Sequence, residues 1–221
     1  MLEQAKLVSI IREVQVDNVL SVMDALVEEG IRWFEISLSD GENGMECIRR
    51  AVEYFGGGFP DEKMYTNAVH VGAGTVTTKE QIDILAEWRI PYMLTPGFDT
   101  KIVQYALCKG IEVLPGVLTP SEVQQAVNCG IRLMKLFPAD AFGKGYIKAL
   151  KGPFPDVDFV AVGGVTAENA SEFYRAGFQG VAAGSNLVPR GAGMADVDRI
   201  RERARRYVRA ADGSVTAENN A

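Results

Sequence analysis

A short unit of sequence recurs along this chain of 221 residues and limits the folds that it can adopt. Each copy begins with a glycine that ends a helix, continues as a short apolar run and closes with small residues or proline. The copies lie at residues 30–35, 110–116, 130–135 and 177–184. Such a unit is typical of chains in which helices alternate with buried parallel strands.

Further apolar runs complete the alternation. Strands are predicted at residues 7–11, 31–38, 67–71, 92–95, 158–162 and 181–183 and after Gly110 and Gly130, with a glycine-rich turn at 56–60 and a last helix at 197–209. Right-handed crossovers permit an open doubly wound sheet or a closed barrel. Eight parallel strands and a final helix favour an α/β fold of the (β/α)₈ TIM-barrel type. We predict one domain at residues 1–210 and a frayed tail at residues 211–221.

Lys135 lies inside one of these apolar strands. Alternation places Leu133, Lys135 and Phe137 on one face of the strand, and Met134 and Leu136 on the other. Burying an ammonium group is costly unless it is paired or neutralised, and burial lowers a lysine pKa. A neutral amine is the group that attacks a carbonyl to form a Schiff base. The alternative is that Lys135 ends an edge strand and reaches water.

Glu35 is the second charged residue within an apolar strand, between Phe34 and Ile36. In a barrel, catalytic groups lie at the carboxyl ends of the strands, where Glu35 and Lys135 are both predicted. A lysine nucleophile and a carboxylate that moves protons suffice for Schiff-base chemistry. We therefore predict that both are catalytic. The alternative is a buried ion pair between them that holds the core together.

Glycines follow the last two predicted strands. The loops after strands seven and eight of many barrels bind phosphate, so Gly163, Gly164, Gly184 and Ser185 are a predicted phosphate site. The alternative is that these glycines only permit tight turns. Residues 72–75 (GAGT) lack the third glycine of a dinucleotide fingerprint. They are expected to bring backbone close to a small substrate, with a hydroxyl from Thr75.

The composition argues against several classes of binding partner and against a metal site. A net charge of −6 without a dense basic run argues against nucleic-acid and anionic-membrane partners, and no apolar stretch is long enough to span a bilayer. The three cysteines, Cys47, Cys108 and Cys129, are not closely paired, which fits a reducing cytoplasm. The single histidine, His70, is predicted to be a core residue. No set of metal ligands has the required spacing, so we expect chemistry without a metal or cofactor.

Five motifs resemble those of a known family. They are GAGTV at residues 72–76, TPG at 95–97, LPG at 114–116, KLFPA at 135–139 and GGV at 163–165. Together, over residues 7–189, they resemble the 2-keto-3-deoxy-6-phosphogluconate / 4-hydroxy-2-oxoglutarate aldolase family. The resemblance implies a (β/α)₈ barrel, usually trimeric, that acts as a metal-independent class I aldolase. Its products are expected to be pyruvate and glyceraldehyde 3-phosphate.

The resemblance also implies roles for individual residues. Lys135 corresponds to the Schiff-base lysine and Glu35 to the acid/base carboxylate. Arg12 and Thr75 correspond to residues that hold the pyruvate carboxylate or neighbouring oxygens. The other matched positions are Gly163, Gly164 and Ser185 at the phosphate and Pro96 and Phe137 in the pocket wall.

Two positions differ from members that act on the gluconate compound. Ser39 stands where those members carry an arginine, and Val162 stands where they tend to carry a threonine. Both features resemble the 2-keto-3-deoxy-6-phosphogalactonate branch. The substrate therefore remains open among the two phosphorylated epimers and unphosphorylated 4-hydroxy-2-oxoglutarate.

The residues also permit two functions besides the aldolase. One is an isomerase or epimerase that uses Glu35 as a base, without a covalent intermediate. The second is a non-catalytic barrel that binds a sugar phosphate. For the aldolase we expect small-molecule partners and a cytoplasmic homotrimer.

Overall fold

The computed structural model describes residues 1–55 and 68–218, with side chains as far as residue 213. The strands of this part run parallel in one sheet. They are β1 (Leu7–Ile11), β2 (Trp33–Ser37), β3 (His70–Gly74), β4 (Tyr92–Leu94), β5 (Glu112–Leu114), β6 (Gly116–Val117), β7 (Leu133–Leu136), β8 (Asp158–Val162) and β9 (Gly180–Ala183).

Helices connect successive strands, as the repeated unit predicts. They are α1 (Val16–Glu28), α2 (Glu42–Phe55), α3 (Lys79–Glu87), α4 (Thr100–Cys108), α5 (Pro120–Asn128), α6 (Tyr146–Lys151), α7 (Ala170–Ala176) and α8 (Val197–Glu218). Thr78 and Asp99 cap α3 and α4, because their side-chain oxygens accept backbone N–H groups of the first helical turn. Two of the loops at the carboxyl end of the barrel are thereby joined firmly to the helices that follow them.

The sheet closes through a strand that is interrupted at Pro115. β5 pairs with β4 on one side, and β6 pairs with β7 on the other. The Lys135 N–H donates to the Pro115 carbonyl at 2.9 Å, but Pro115 has no N–H of its own to donate. The nine segments therefore occupy eight barrel positions, and the predicted α/β barrel is confirmed.

Alternate residues of each strand face the barrel interior and the surrounding helices. The interior carries its own apolar cluster, which includes Val8, Ile10, Trp33, Tyr92, Leu94, Leu114, Leu133, Val160, Val162 and Ala182. The residues between them pack against the helices in a larger cluster. Met134 and Leu136 belong to that outer cluster and Leu133 to the inner one, so the predicted alternation around Lys135 is confirmed.

Bulky groups fill the barrel at the amino ends of the strands. Leu2, from a 3₁₀ turn at Leu2–Gln4, is buried in the inner cluster, and the ring of Trp33 stacks on His70 with 4.0 Å between centroids. Tyr92 lies beside Trp33, and its hydroxyl is within hydrogen-bond distance of the carbonyls of Phe34 (2.7 Å) and His70 (3.0 Å). His70 is thus a core residue, as predicted. This packing leaves the carboxyl end of the barrel as the place for a site.

Some element boundaries differ from those predicted. The last helix continues to Glu218, so residues 211–218 are helical where a frayed tail was predicted. The strand predicted at residues 67–71 is found at His70–Gly74, and the one predicted at residues 31–38 is confined to Trp33–Ser37. Residue 67, the turn predicted at residues 56–60 and residues 219–221 lie outside the described part. In that part, no helix is both long and apolar enough to cross a membrane.

Candidate active site

A cavity of about 300 Å³ opens at the carboxyl ends of the strands. Nine of the residues predicted for the site line it: Arg12, Thr75, Pro96, Lys135, Phe137, Gly163, Gly164, Gly184 and Ser185. They come from loops and strand ends far apart in sequence, which the closed sheet brings to one rim. The barrel therefore assembles the lining from the positions that the sequence indicated.

Lys135 is placed on the inner face of β7 and reaches the cavity. Its side chain is only 5% exposed, so it does not reach bulk water as an edge-strand lysine would. The ring of Phe137 lies beside it, with the Lys135 Nζ 5.0 Å from the ring centroid. None of the ion pairs within 4.0 Å in the described part of the chain includes Lys135. A buried lysine without a carboxylate partner is well placed to act as a nucleophile.

Glu35 lies on the inner face of β2 and is fully buried. Both carboxylate oxygens lack a hydrogen-bond partner among the described residues, and no ion pair of that part joins Glu35 to Lys135. The predicted alternative of a structural Lys–Glu ion pair is therefore not what the geometry shows. Glu35 is not among the residues that line the cavity. Buried carboxylates are normally paired, so one without a partner in the described chain fits a group that interacts with substrate or water.

The direction of the Glu35 side chain follows from the glycines of β3. Glu35 pairs in register with Gly72, but its carboxylate lies beside Gly74, two residues nearer the carboxyl end of the strand. The ring of Tyr92 takes the space beside Gly72. Tyr92 and Glu35 thus occupy the space that side chains at positions 72 and 74 would need, and the approach of this backbone to a substrate stays a prediction. The Glu35 side chain is therefore directed toward the carboxyl end of the barrel, where the cavity opens.

The charge of the cavity wall is positive. Arg12, Lys135 and Arg190 are the charged side chains among its lining residues in the described chain. The Nε of Arg12 is buried without a hydrogen-bond partner there, and Arg190 pairs with Glu13 at 2.7 Å. Cationic walls with unused donors favour ligands that carry negative charge.

The loop after β8 presents backbone to the cavity. Gly163 and Gly164 have φ values of +98° and +69°, and a Cβ on Gly164 would collide with the side chain of Asp140. Side chains hold the carbonyls of this loop. Asn169 Nδ2 donates to the Gly164 carbonyl at 2.8 Å, while Asn186 Nδ2 and the Tyr207 hydroxyl each donate to the Val165 carbonyl at 3.1 Å. These hydrogen bonds hold the loop in place, and backbone N–H groups of such a loop are the donors that an anion would use.

The family of the chain follows from its match to a known family model. The model of the KDPG and KHG aldolases matches residues 1–203. The chain belongs to this aldolase family.

Individual relatives agree with this assignment to the aldolases. The 2-dehydro-3-deoxy-6-phosphogalactonate aldolase of Escherichia coli (strain K12) is 34% identical over 205 residues, which cover 92% of this chain and 93% of that protein. The 2-dehydro-3-deoxy-phosphogluconate aldolase of Pseudomonas aeruginosa is 31% identical over 171 residues, or 77% and 72% of the two chains. A solved native KDPGal structure is 32% identical to this chain and has a TM-score of 0.85. The match covers 96% of this chain and 97% of the chain in that structure.

Two positions at which the resemblance predicts a difference from the gluconate type both lie in the cavity wall. Ser39 and Val162 line the cavity together with the predicted site residues. A serine is shorter than the arginine that the resemblance predicts for those members and carries no charge, and a valine has no hydroxyl where a threonine would supply one. Both differences therefore change the groups that a bound substrate would meet.

Three polar residues at the cavity or just behind its wall were not predicted from the sequence. Asn186 and Arg190 line the cavity from the loop after β9, and Ser37 lies just behind two of its lining hydroxyls. Asn186 directly follows the predicted Ser185, so its position in the loop was a usable signal. No pattern in the sequence indicates where the side chains of Arg190 and Ser37 are directed.

Proposed function

We propose that this protein is a class I aldolase that cleaves a 2-keto-3-deoxy-6-phospho sugar acid, of the phosphogluconate type, to pyruvate and glyceraldehyde 3-phosphate. The observation that carries the proposal is Lys135, buried at a cationic cavity without a carboxylate partner in the described chain. The relatives named for the two phosphorylated epimers support the same reaction class.

The proposed chemistry begins at Lys135. Its neutral amine adds to the C2 ketone of the substrate, and loss of water from the carbinolamine leaves a protonated Schiff base. The C4 hydroxyl then loses its proton, the C3–C4 bond breaks and its electron pair passes into an enamine, while the aldehyde leaves. Protonation of the enamine at C3 and hydrolysis of the Schiff base release pyruvate and restore the amine. Glu35 is the proposed group that accepts and returns these protons.

Recognition is proposed to use the two kinds of anion site in the cavity. Arg12 and Thr75 would hold the carboxylate of the pyruvate moiety, next to Lys135. Backbone at Gly163, Gly164 and Gly184 and the Ser185 hydroxyl would hold the phosphate, and the remaining wall of the pocket includes Pro96 and Phe137. A substrate with a negative group at each end suits a cavity lined by cationic side chains.

Trapping with borohydride tests the covalent step. Pyruvate and borohydride should add a stable mass to the Lys135 peptide of the native protein, because reduction converts the Schiff base to a secondary amine. Lys135→Met should abolish both the adduct and cleavage, whereas Lys148→Met, which alters an exposed lysine of α6, should change neither. Since a Schiff-base route needs no metal, EDTA should leave the rate unchanged. An adduct on another lysine, or none, contradicts the proposal.

A panel of substrates tests the substrate class. Pyruvate release is measured side by side from 2-keto-3-deoxy-6-phosphogluconate, its phosphogalactonate epimer and 4-hydroxy-2-oxoglutarate. Preference for the phosphorylated compounds is expected, and equal rates on all three would contradict the phosphate site. Faster cleavage of the galactonate epimer would assign the second candidate, which Ser39 and Val162 in the cavity wall favour. Isomerisation without trapping, or binding without turnover, would support the isomerase or the non-catalytic barrel instead.

We also propose that the protein is a cytoplasmic homotrimer. The trimer rests on the resemblance to the family, and light scattering coupled to size-exclusion chromatography measures it directly. The location rests on the three cysteines, which are all free thiols. Burial raises the pKa of the Cys47 thiol to about 11, so this thiol is unreactive at neutral pH. Fractionation of cells that express the native protein tests the location.

A further inference from the structure

Arg190 is a cationic residue of the cavity wall to which the proposed reaction gives no role. It lies in the loop after β9 and lines the same cavity as Gly163, Gly164 and Ser185. Those three residues are proposed to hold the phosphate, but they offer only backbone N–H groups and a hydroxyl, none of which is charged. A phosphate ester carries about 1.5 to 2 negative charges at neutral pH, and its hydrogen bonds to a cation are the stronger ones. The Arg190 guanidinium can supply that cation.

The loop after β9 fixes the backbone of Arg190 at the cavity. Residues 184–188 form one helical turn, because the Gly184 carbonyl accepts two backbone N–H groups, at 2.8 and 3.0 Å. Residues 189–192 form a second turn, which is closed by a backbone hydrogen bond of 3.1 Å between its two end residues. Arg190 is the first central residue of this turn, and Gly191, with a φ of +67°, is the second, where a positive φ favours glycine.

Glu13, from the loop after β1, fixes the direction of the guanidinium. The Arg190 Nη1 donates to the Glu13 Oε1 at 2.7 Å. Among residues 1–55 and 68–213 the Arg190 side chain makes no other hydrogen bond or ion pair, so its Nε and Nη2 groups remain available to a ligand. An ion pair between two exposed side chains contributes little to stability. Holding the two loops together is therefore a weak explanation for the pair.

The depths of the cationic residues match the order of groups along the proposed substrate. Lys135, which attacks C2, is 5% exposed, and the Nε of Arg12 is buried, which suits the carboxylate that is bonded to C2. The side chain of Arg190 is 56% exposed and thus lies at the mouth of the cavity. Ser185 is also exposed. The phosphate is on C6, at the end of the molecule that is farthest from C2, so it is the group that reaches this mouth.

We infer that Arg190 binds the phosphate of the substrate and determines the preference for phosphorylated sugar acids, with Glu13 directing its guanidinium. The inference rests on the proposed function, because the phosphate belongs to the proposed substrate. The planar guanidinium can donate two parallel hydrogen bonds to phosphate oxygens, in addition to those from the loop backbone. The Glu13 carboxylate orients Arg190 but also competes with the phosphate for the same cation.

Variants at the two ends of the ion pair separate phosphate binding from a structural role. Arg190→Gln should raise KM for the phosphorylated sugar acid about tenfold or more, the scale of a lost hydrogen bond between charged groups, with kcat nearly unchanged. Glu13→Gln removes the same ion pair but keeps the cation, so this KM should stay constant or fall. Arg190→Lys keeps the charge without the planar fork and should give an intermediate KM. A structural ion pair would instead give equal losses in Arg190→Gln and Glu13→Gln.

Substrates without a phosphate show whether the effect is confined to that group. Arg190→Gln should leave the cleavage of unphosphorylated 2-keto-3-deoxygluconate and its galactonate epimer within about twofold of the native rate, because uninvolved contacts change little. The same holds for exchange of the pyruvate methyl protons with D₂O, followed by NMR. Inorganic phosphate should inhibit cleavage by the native protein competitively, and its Ki should rise in Arg190→Gln. Arg205→Gln is the matched control and should change none of these values. Arg205 is 55% exposed and pairs with Glu29 at 2.7 Å.

The outcomes distinguish the inference from the function on which it rests. A native protein that neither cleaves the sugar acids nor exchanges pyruvate protons would remove the proposed function itself. A native protein that does both, with an Arg190→Gln variant whose KM is unchanged or rises equally with and without the phosphate, would overturn the role of Arg190 alone. Equal losses in Glu13→Gln and Arg190→Gln would also overturn it. A higher KM for phosphorylated substrates only supports the inference.

Discussion

The carboxylate of Glu35 occupies the space beside Gly74 that the side chain of any larger residue would need. The two residues lie on neighbouring strands, two positions apart in register, so the contact runs diagonally across the inner face of the sheet. Because Gly74 is nearer the carboxyl end, this contact directs Glu35 toward the cavity. The glycine of the GAGT motif thus serves the carboxylate of a different strand.

Adding a methyl group at Gly74 should therefore reduce activity through Glu35. In Gly74→Ala the new Cβ meets the Glu35 carboxylate and displaces it, so we expect kcat to fall about 10²-fold, the scale of a lost proton-transfer group. Overpacking should also lower the free energy of unfolding by about 1–3 kcal/mol. Steady-state kinetics and urea denaturation measure both effects. Gly145→Ala, at a position with open space around it, is the control and should change neither. Unchanged kcat in Gly74→Ala would refute this role.

Replacing Glu35 with glutamine should separate catalysis from stability. The variant keeps the size of the side chain but cannot accept a proton, so kcat/KM should fall by about 10²–10⁴. An unpaired buried carboxylate is unfavourable, and a neutral amide there should leave Tm unchanged or raise it. Calorimetry and pyruvate release are the measurements. Glu87→Gln, at an exposed position of α3, serves as the control. A strongly lowered Tm with nearly native kcat would instead indicate a structural carboxylate.

Asn186 should matter for phosphorylated substrates only. It donates to the Val165 carbonyl next to the glycine pair, so Asn186→Ala loosens the loop that is proposed to hold the phosphate. We expect KM for the phosphorylated sugar acids to rise about tenfold, which is about 1.4 kcal/mol, while KM for 4-hydroxy-2-oxoglutarate stays constant. Asn128→Ala, at an exposed position of α5, is the matched control. Equal KM increases for both kinds of substrate would argue against a phosphate loop.

Tyr92 should stabilise the barrel below the site. The one proton of its hydroxyl is shared between the carbonyls of Phe34 and His70, and Tyr92→Phe removes this donor while keeping the ring beside Gly72. The free energy of unfolding should fall by about 1–3 kcal/mol, measured in urea. Tyr54→Phe, on the exposed side of α2, should cost much less. Comparable losses in the two variants would contradict the structural role of the Tyr92 hydroxyl.

The same tyrosine predicts a pH dependence of stability. Burial raises the pKa of Tyr92 well above its usual range, so the folded protein keeps a proton that the unfolded chain loses above about pH 10. The unfolded state then binds fewer protons, and the free energy of unfolding falls as pH rises beyond that point. The fall should be shallower in Tyr92→Phe, which lacks the group. Urea titrations between neutral pH and about pH 11 measure the slopes, and identical slopes would exclude this contribution.

Several features of the fold were predictable because they depend on local pattern. The helix-stopping glycines and apolar runs indicated alternating helices and strands, and the alternation around Lys135 indicated which of its neighbours face inward. The interruption of the strand at Pro115 was not predicted, although the proline is evident in the sequence. A proline has no N–H, so it interrupts the hydrogen bonding of a sheet only where the neighbouring strand would accept that N–H. Which strands pair with each other cannot be read from a local sequence pattern.

The end of the last helix could not be predicted from composition. Its predicted end at residue 209 rested on the small and polar residues that follow, yet α8 continues to Glu218. Small and polar side chains lower helix propensity without forbidding the helix, so composition alone does not mark its end.

What the sequence determined by itself was the order of the elements, the inward face of each strand and the identity of the charged groups on those faces, because each depends on a periodicity of a few residues. Only the tertiary structure decided which distant side chains share one space. Glu35 beside Gly74, Ser37 between Ser39 and Thr75, and Asn186 on the loop of Val165 all depend on the register between separate strands and loops. That register is set by closure of the whole barrel, in which every strand must pair on both sides at once.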